Sequence, residues 1–299
     1  MKTIYICGHK SPDLDSVMGS ISYAYLKSQV DTKHEFKPVI TGSVNNETAY
    51  ILDKYDIQAP GVLDSIANQS VILVDHNEGH QAIDGLAEAE ILEVIDHHKL
   101  DFSYHTPIKI IIEPIGSSCS VIYKMFRAEG IDIPQNLAAG MLAAVLTDTV
   151  ITKSPTTTKQ DRKIIEELAD IAGIADWQEY GMEIFKVRST VSDKTADEIV
   201  VSDYKDFDIN GNKFGIGQVE TVDITEFNAR KAELLDALSN KKSAENYHSV
   251  ILFLWAFGPG DFLANLFCSS DSPEPVAKCH ANQKMIPIKS NHPSVPTIG

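Results

Sequence analysis

The sequence predicts an α/β protein in which an N-terminal parallel-sheet domain is followed by a smaller mixed α+β C-terminal domain. Three observations predict it. Short β-rich runs alternate with helical stretches through the first half of the chain, the order that builds a parallel sheet. Those runs are largely apolar rather than strictly alternating, Val71 to Val74 wholly so, as strands buried on both faces are. Further on, the pattern changes to two strand-like runs joined by Asn210-Gly211, a strong hairpin signal, and a chain of 299 residues is long enough for two cores.

Taken in order, Thr3 to Cys7 is the first strand and leads into a polar loop, Gly8 to Ser16. Val17 to Ser28 has small and apolar residues at helical spacing. Strands follow at Lys37 to Ile40, Val71 to Val74, Ile91 to Ile95 and Ile108 to Ile112, with helices fitted between them at Asn46 to Tyr55 and Ser120 to Glu129. Leu137 to Leu146 is a helix of small residues, suited to close packing on the sheet, and it ends at Thr147-Asp148-Thr149. Asp161 to Ala172 is a further helix. Met182 to Thr195 reads as helical and polar, with the domain boundary near Ser189, so that the domains are 1–189 and 190–299. The second contains strands Val200 to Asp208 and Lys213 to Val222, an amphipathic helix Thr225 to Lys241 and a strand Val250 to Phe257. From about residue 270 the tail is rich in Pro, Ser and Asn and is expected to be poorly structured.

The formal net charge of -16 disfavours nucleic acid as a partner, because such binders present a basic face. A small polyanion remains compatible, since metal ions and a few lysines reverse the potential inside one cleft. The cysteines, Cys7, Cys119, Cys268 and Cys279, are widely spaced and include no CxxC pair. That argues for reduced thiols and a cytoplasmic location rather than disulfides or a cysteine zinc site. No signal peptide is read at the start, and no apolar run reaches the roughly 18–20 residues of a membrane span.

Four polar clusters fall where elements end: Gly8-His9-Lys10-Ser11-Pro12-Asp13-Leu14-Asp15-Ser16, Asp75-His76-Asn77-Glu78, Asp96-His97-His98 and Thr147-Asp148. The first three sit at the carboxyl ends of strands, the edge at which open parallel sheets bind ligands. Carboxylates and imidazoles without a thiolate suit manganese, magnesium, zinc or iron. His9, Asp13, Asp15, Asp75, His97 and Asp148 supply six side chains, enough for a pair of metals when one carboxylate bridges. A single aspartate at a strand end is usually a helix cap, and a lone histidine is usually structural. It is the assembly of several such clusters that points to a site. His76 and Asp96 are the weakest members of the set, and the alternative for Asp96 is to orient a neighbouring imidazole.

These segments resemble the Asp-His-His phosphoesterases and, within them, the manganese-dependent family II inorganic pyrophosphatases. Lys153-Ser154-Pro155-Thr156-Thr157-Thr158 and Ser202-Asp203-Tyr204-Lys205-Asp206-Phe207 carry the same resemblance, which spans about residues 1–225. It implies a DHH metal-binding domain, a DHHA2-like substrate-binding domain and a cleft between them. It also implies two Mn2+ per chain, with Mg2+, Co2+ or Zn2+ as substitutes. His9, Asp13, Asp15, Asp75, His97 and Asp148 would then be the ligands, with Asp75 bridging. His98 would contact phosphate and Lys205 would neutralise substrate charge, making Asp75, His98 and Lys205 the catalytic set. A homodimer is implied as well.

The reaction so implied is hydrolysis of diphosphate to two phosphates by a metal-activated hydroxide. The chain departs from the family at its C-terminus. In place of a basic Ser-Arg-Lys-Lys-Gln stretch it has Ala281-Asn282-Gln283-Lys284-Met285-Ile286-Pro287, leaving Lys284 as the one basic substrate contact there. The alternatives are an exopolyphosphatase-like or oligonucleotide phosphoesterase of the same superfamily, or a metal-binding protein of reduced activity.

Overall fold

The computed structural model describes residues 1–189, 191, 194–221, 224–257 and 262–270. The chain divides into two compact units, the first Met1–Val187 and the second starting at Arg188. No helix among the described residues is long and apolar enough to cross a membrane.

The first unit is a six-stranded parallel sheet. Its strands are β1 (Lys2–Cys7), β2 (His34–Ile40), β3 (Gly61–Val62), β4 (Ser70–Val74), β5 (Glu90–Asp96) and β6 (Lys109–Ile112), in the order β3-β2-β1-β4-β5-β6. The helices are α1 (Leu14–Val30), α2 (Asn46–Lys54), α3 (Ser118–Glu129), α4 (Gln135–Asp148), α5 (Lys159–Ala172) and α6 (Trp177–Ser189). The chain winds outward from β1 to β3, then returns to β4 on the other side of β1. This reversal opens a crevice at the carboxyl ends of β1 and β4, the usual ligand position in such sheets.

Strand pleating sorts the apolar residues onto two faces. Ile4, Ile6, Ile72, Val74 and Ile95 join the core beneath α1 to α5. Cys7, Val71, Leu73, Ile91 and Val94 face a second cluster with Ile66, Ile83 and Ala89. That second face is covered mainly by connecting segments, one carrying a 3-10 turn at Leu86–Glu88, so both faces are buried as expected but helices dominate only one. The two-residue edge strand β3 is too short to leave a periodic signal.

The second unit contains a helix, α7 (Ala196–Val200), then β7 (Lys205–Ile209), β8 (Asn212–Thr221), α8 (Ile224–Ala229), α9 (Lys231–Ala244), β9 (Ser249–Phe257) and β10 (Phe262–Ser270). Its sheet order is β10-β9-β8-β7, with β8 and β9 parallel and the outer pairs antiparallel. The turn at Asn210 and Gly211 forms as expected, both residues having positive φ (56° and 80°), the conformation a two-residue hairpin turn demands.

Three details differ from the sequence expectations. Residues Val200 to Asp203 are not strand: Thr195 caps α7 through a reciprocal bond with Glu198, and the chain turns before β7 begins at Lys205. The strand expected from Val200 to Asp208 is therefore shortened at its start, and Val201 and Asp203 lie in the turn that precedes it. The helix expected over Thr225 to Lys241 is split at Arg230, whose guanidinium bonds Glu233 and the Val191 carbonyl. Strand β10 completes a sheet edge that the sequence reading did not include. The tail from residue 271, with Lys284, lies outside the described residues.

Candidate metal centre

Each site residue is placed by a local structural necessity. After β1 the chain must turn sharply into α1. Gly8 permits it: a Cβ there would lie 1.7 Å from the Ser16 hydroxyl oxygen, which accepts the His9 amide at 3.0 Å. Asp13 is the N-cap of α1, accepting the Ser16 amide with Oδ1 at 2.9 Å, a contact that typically contributes about 1 kcal/mol. Its other oxygen, Oδ2, faces His9 Nε2 at 3.5 Å. Capping and site membership thus coexist in one carboxylate. Asp75 follows β4 with φ 65°, a left-handed conformation that costs a non-glycine residue about 1 kcal/mol or more and concentrates at functional sites.

Asp75 is the centre of the arrangement. Its Oδ2 lies 3.5 Å from His9 Nε2 and its Oδ1 3.4 Å from His97 Nε2. Asp148, at the end of α4, lies 3.8 Å from the same His97 nitrogen. Donor atoms of His9, Asp13 and Asp75 converge within 4.8 Å of one another, as do those of Asp15, Asp75, His97 and Asp148. A third convergence joins Asp75, His97 and His98. All six expected donors are therefore brought together in two sets that share Asp75. Their neighbouring cleft, about 600 Å³, is lined by Asp13, Asp75, His97, His98, Lys99 and Asp148.

Electrostatics test whether cations fit. Burial and the Asp75 charge push Asp15 up to about 6. Burial, then Asp15, Asp13 and Asp75, push Asp148 well above the carboxylate range. Burial alone would lower His9, yet the hydrogen bonds and charges of Asp13 and Asp75 raise it to about 10. His97 is likewise opposed by burial and raised to about 9 by Asp75 and Asp15. Asp75 itself is held far below its ordinary value, the two imidazoles overcoming its burial. A cluster of carboxylates that raises its own pKa values and recruits protons onto imidazoles is one that lacks positive charge. The donors, oxygen and imidazole nitrogen only, suit a hard or borderline divalent ion.

The supporting residues escaped sequence reasoning. At the start of α3, the Ser117 hydroxyl (2.6 Å) and the Cys119 amide (3.0 Å) donate to Asp15 Oδ1, and the Ser118 amide donates to Oδ2 at 2.6 Å. The Ser118 hydroxyl donates to Asp75 Oδ1 at 3.0 Å. Fully buried Asp161 fixes this corner, accepting from Gly116 N at 3.0 Å and the Ser120 hydroxyl at 2.8 Å. Gly116-Ser117-Ser118-Cys119-Ser120 was the available signal: a run of small polar residues at a helix start. Just past Asp148, Val150, Ile151 and Thr152 all have positive φ, a left-handed turn that β-branched residues adopt rarely and at a cost.

Asp96 is fully buried and belongs to none of the donor sets. Its Oδ1 accepts the His97 amide at 2.7 Å and His98 Nδ1 at 2.9 Å, so it orients an imidazole, the alternative noted for it above. His76 is buried with Nδ1 on the Val74 carbonyl at 3.0 Å and is in neither donor set. His98 is half-exposed on the cleft. Lys205 opens β7 in the second unit, exposed and without an ion-pair partner among the described residues.

Comparison with known proteins agrees with this geometry. The pattern of the DHH family, N-terminal domain, matches residues 3–145, and that of the DHHA2 domain matches residues 182–289. The manganese-dependent inorganic pyrophosphatase of Methanothrix thermoacetophila is 42% identical over 252 residues, 84% of this chain and 80% of that protein. The probable manganese-dependent inorganic pyrophosphatase of Archaeoglobus fulgidus is 40% identical over 84% of this chain and 81% of that one. Among solved structures, a putative family II inorganic pyrophosphatase from Methanococcus jannaschii superposes with a TM-score of 0.66 at 33% identity, covering 95% of this chain and 92% of that one. An exopolyphosphatase-related protein from Bacteroides fragilis, at 18% identity and TM-score 0.50, covers 92% of this chain and 82% of its own and shares the fold. With two donor sets hinged on one aspartate and this degree of identity along most of its length, the chain belongs to the manganese-dependent family II inorganic pyrophosphatases.

Proposed function

We propose that this protein hydrolyses inorganic diphosphate to two phosphates, using two manganese ions per chain. The observation that carries the reading is the sharing of Asp75 by two donor sets, His9–Asp13–Asp75 and Asp15–Asp75–His97–Asp148. Held by those donors, a pair of divalent ions would supply a more acidic water and charge neutralisation for displacement at phosphorus. The chain's own residues do the rest. Ser117, Ser118 and the first amides of α3 hold Asp15 and Asp75 in place, so that the donors are set before a ligand arrives. His98, with Nδ1 bound to Asp96, leaves Nε2 to meet a phosphate oxygen in the cleft that it lines. Lys205 and Lys284 are assigned to the substrate's remaining charge. Residues 1–189 and 190–299 are taken as the metal-binding and substrate-binding domains. A homodimer and a cytoplasmic location complete the proposal, as do Mg2+, Co2+ and Zn2+ as substitute ions for the same oxygen and nitrogen donors.

The deciding experiment is phosphate release in manganese from diphosphate, tripolyphosphate and a dinucleotide. Release from diphosphate fastest of the three is expected. Faster release from tripolyphosphate would move the assignment to polyphosphate ends. No release from any of them, with two ions bound, would leave a metal-binding protein without this activity. Lys205→Ala is expected to raise KM and lower kcat for diphosphate while the manganese content stays at the wild-type value. Unaltered kinetics would remove Lys205 from the substrate-binding set.

A further inference from the structure

Asn77 is fully buried directly behind the site, two residues after Asp75, and the reaction as described makes no use of it. Every polar atom of its side chain is engaged. Nδ2 donates to Asp96 Oδ2 at 2.6 Å and to the Lys99 carbonyl at 2.9 Å. Oδ1 accepts the Asp101 amide at 2.6 Å. The amide therefore ties three things together: the segment after β4, the carboxylate that ends β5, and the chain just beyond His98. Asp96 in turn spends Oδ1 on His97 N, His98 N and His98 Nδ1. A carboxylate bound on one oxygen only is free to rotate about its terminal torsion, which is broad and weakly restrained. The Asn77 amide on Oδ2 removes that freedom and leaves Oδ1 facing the imidazole. Holding Lys99 and Asp101 also fixes the backbone on which His98 sits.

We propose that Asn77 is a positioning residue for His98: by gripping Asp96 Oδ2 and the backbone at Lys99 and Asp101, it holds the His98 ring with Nδ1–H on Asp96 and Nε2 available to the cleft. The proposal rests on the reading of His98 as a phosphate contact. Asp96 also accepts the His97 amide, but the His97 ring is held separately, with Nδ1 on the Ile115 carbonyl at 3.0 Å. The Asp75 carboxylate is held by other partners, Ser118 among them, so metal content does not depend on the amide.

A double-mutant cycle tests this. Residues that act through one another show non-additive effects, while independent ones multiply. Asn77→Ala is expected to lower kcat/KM for diphosphate by about 10–100-fold, the usual cost of losing such a supporting contact, with manganese content unchanged. In a His98→Ala background the same substitution is expected to cost less than about threefold. An equal loss with and without His98 would overturn the proposal. Asn77→Leu, which keeps the volume but neither hydrogen-bonding end, serves where the alanine variant does not fold. A second measurement does not depend on catalysis. Ring 15N shifts of His98 in magnesium-loaded protein at alkaline pH should report the Nδ1–H tautomer in the wild type and a tautomer mixture in Asn77→Leu. Identical tautomer populations in the two would refute the positioning role. A wild-type protein that releases no phosphate from diphosphate would instead reject the proposed activity, and the tautomer comparison would still decide the role of Asn77.

Discussion

Asp75→Ala is expected to lower diphosphate hydrolysis by at least about a thousandfold and to empty both metal positions together. The two donor sets share no other residue, so loss of this carboxylate removes one donor from each. A Lewis-acid pair supplies several kcal/mol to such a reaction, and each 1.36 kcal/mol is a factor of ten in rate. The contrast variant is Asp13→Ala, which belongs to one set only and should weaken one ion while the other stays. Manganese titration by isothermal calorimetry reads both. An Asp75→Ala protein that still binds two ions with wild-type affinity would show that this carboxylate does not bridge.

Metal removal should invert the dependence of stability on pH. In metal-free protein the folded-state pKa values of His9 and His97 stand at about 10 and 9, above the ordinary imidazole value of about 6.5. A raised folded pKa contributes stability that is fully present below the unfolded value and is lost as pH rises through the folded one. The window is therefore about pH 6.5 to 10. Asp15, raised to about 6, has the same sign at lower pH. Asp75, with its pKa depressed, stays ionised throughout and contributes no change. The melting temperature of chelator-treated protein should fall across this window by about 5 °C or more, since about 1 kcal/mol moves Tm by about 2–4 °C in chains somewhat smaller than this. Added manganese should raise Tm, and by more at pH 9 than at pH 6.5, because metal displaces protons from its ligands. A metal-free Tm that is flat or rising from pH 6.5 to 9 would mean that the imidazoles do not hold those protons.

Much of the site was legible because its members announce themselves locally. Asp13 and Asp15 stand where a strand turns into a helix, Asp75 and Asp96 where largely apolar strands stop, and Asp148 where a buried helix ends. Each is a charge at the end of a mostly apolar run. Ser117, Ser118 and Asn77 gave no such signal. Serine and asparagine are common at turns and caps, and their function here lies in contacts across the fold: Ser117 meets Asp15 from 102 residues away. In the second unit the errors had a common cause. Val201 and Val200 have high β-propensity, but a capping box at Thr195 and Glu198 draws the segment into a helical turn, the kind of tertiary and capping choice that propensity cannot see. The single helix expected to Lys241 fails at Arg230, whose carbonyl begins α9 through the Leu234 amide.

The first amides of α3 are spent on Asp15. A helix N-terminus of this kind, with its partial positive charge and free amides, is the standard cradle for a phosphate in α/β proteins. Here the chain has filled that cradle with its own carboxylate. The helix end therefore stabilises a negative charge that belongs to the protein, lessening the mutual repulsion of Asp15, Asp75 and Asp148, and offers nothing to an incoming anion. Without cations the cleft is lined by the carboxylates of Asp13, Asp75 and Asp148 and lacks the positive charge that a polyanion needs. Loading of the protein is consequently ordered: an apo chain cannot be trapped with phosphate or diphosphate, and product inhibition should vanish with the metal rather than persist as binding to a bare phosphate loop.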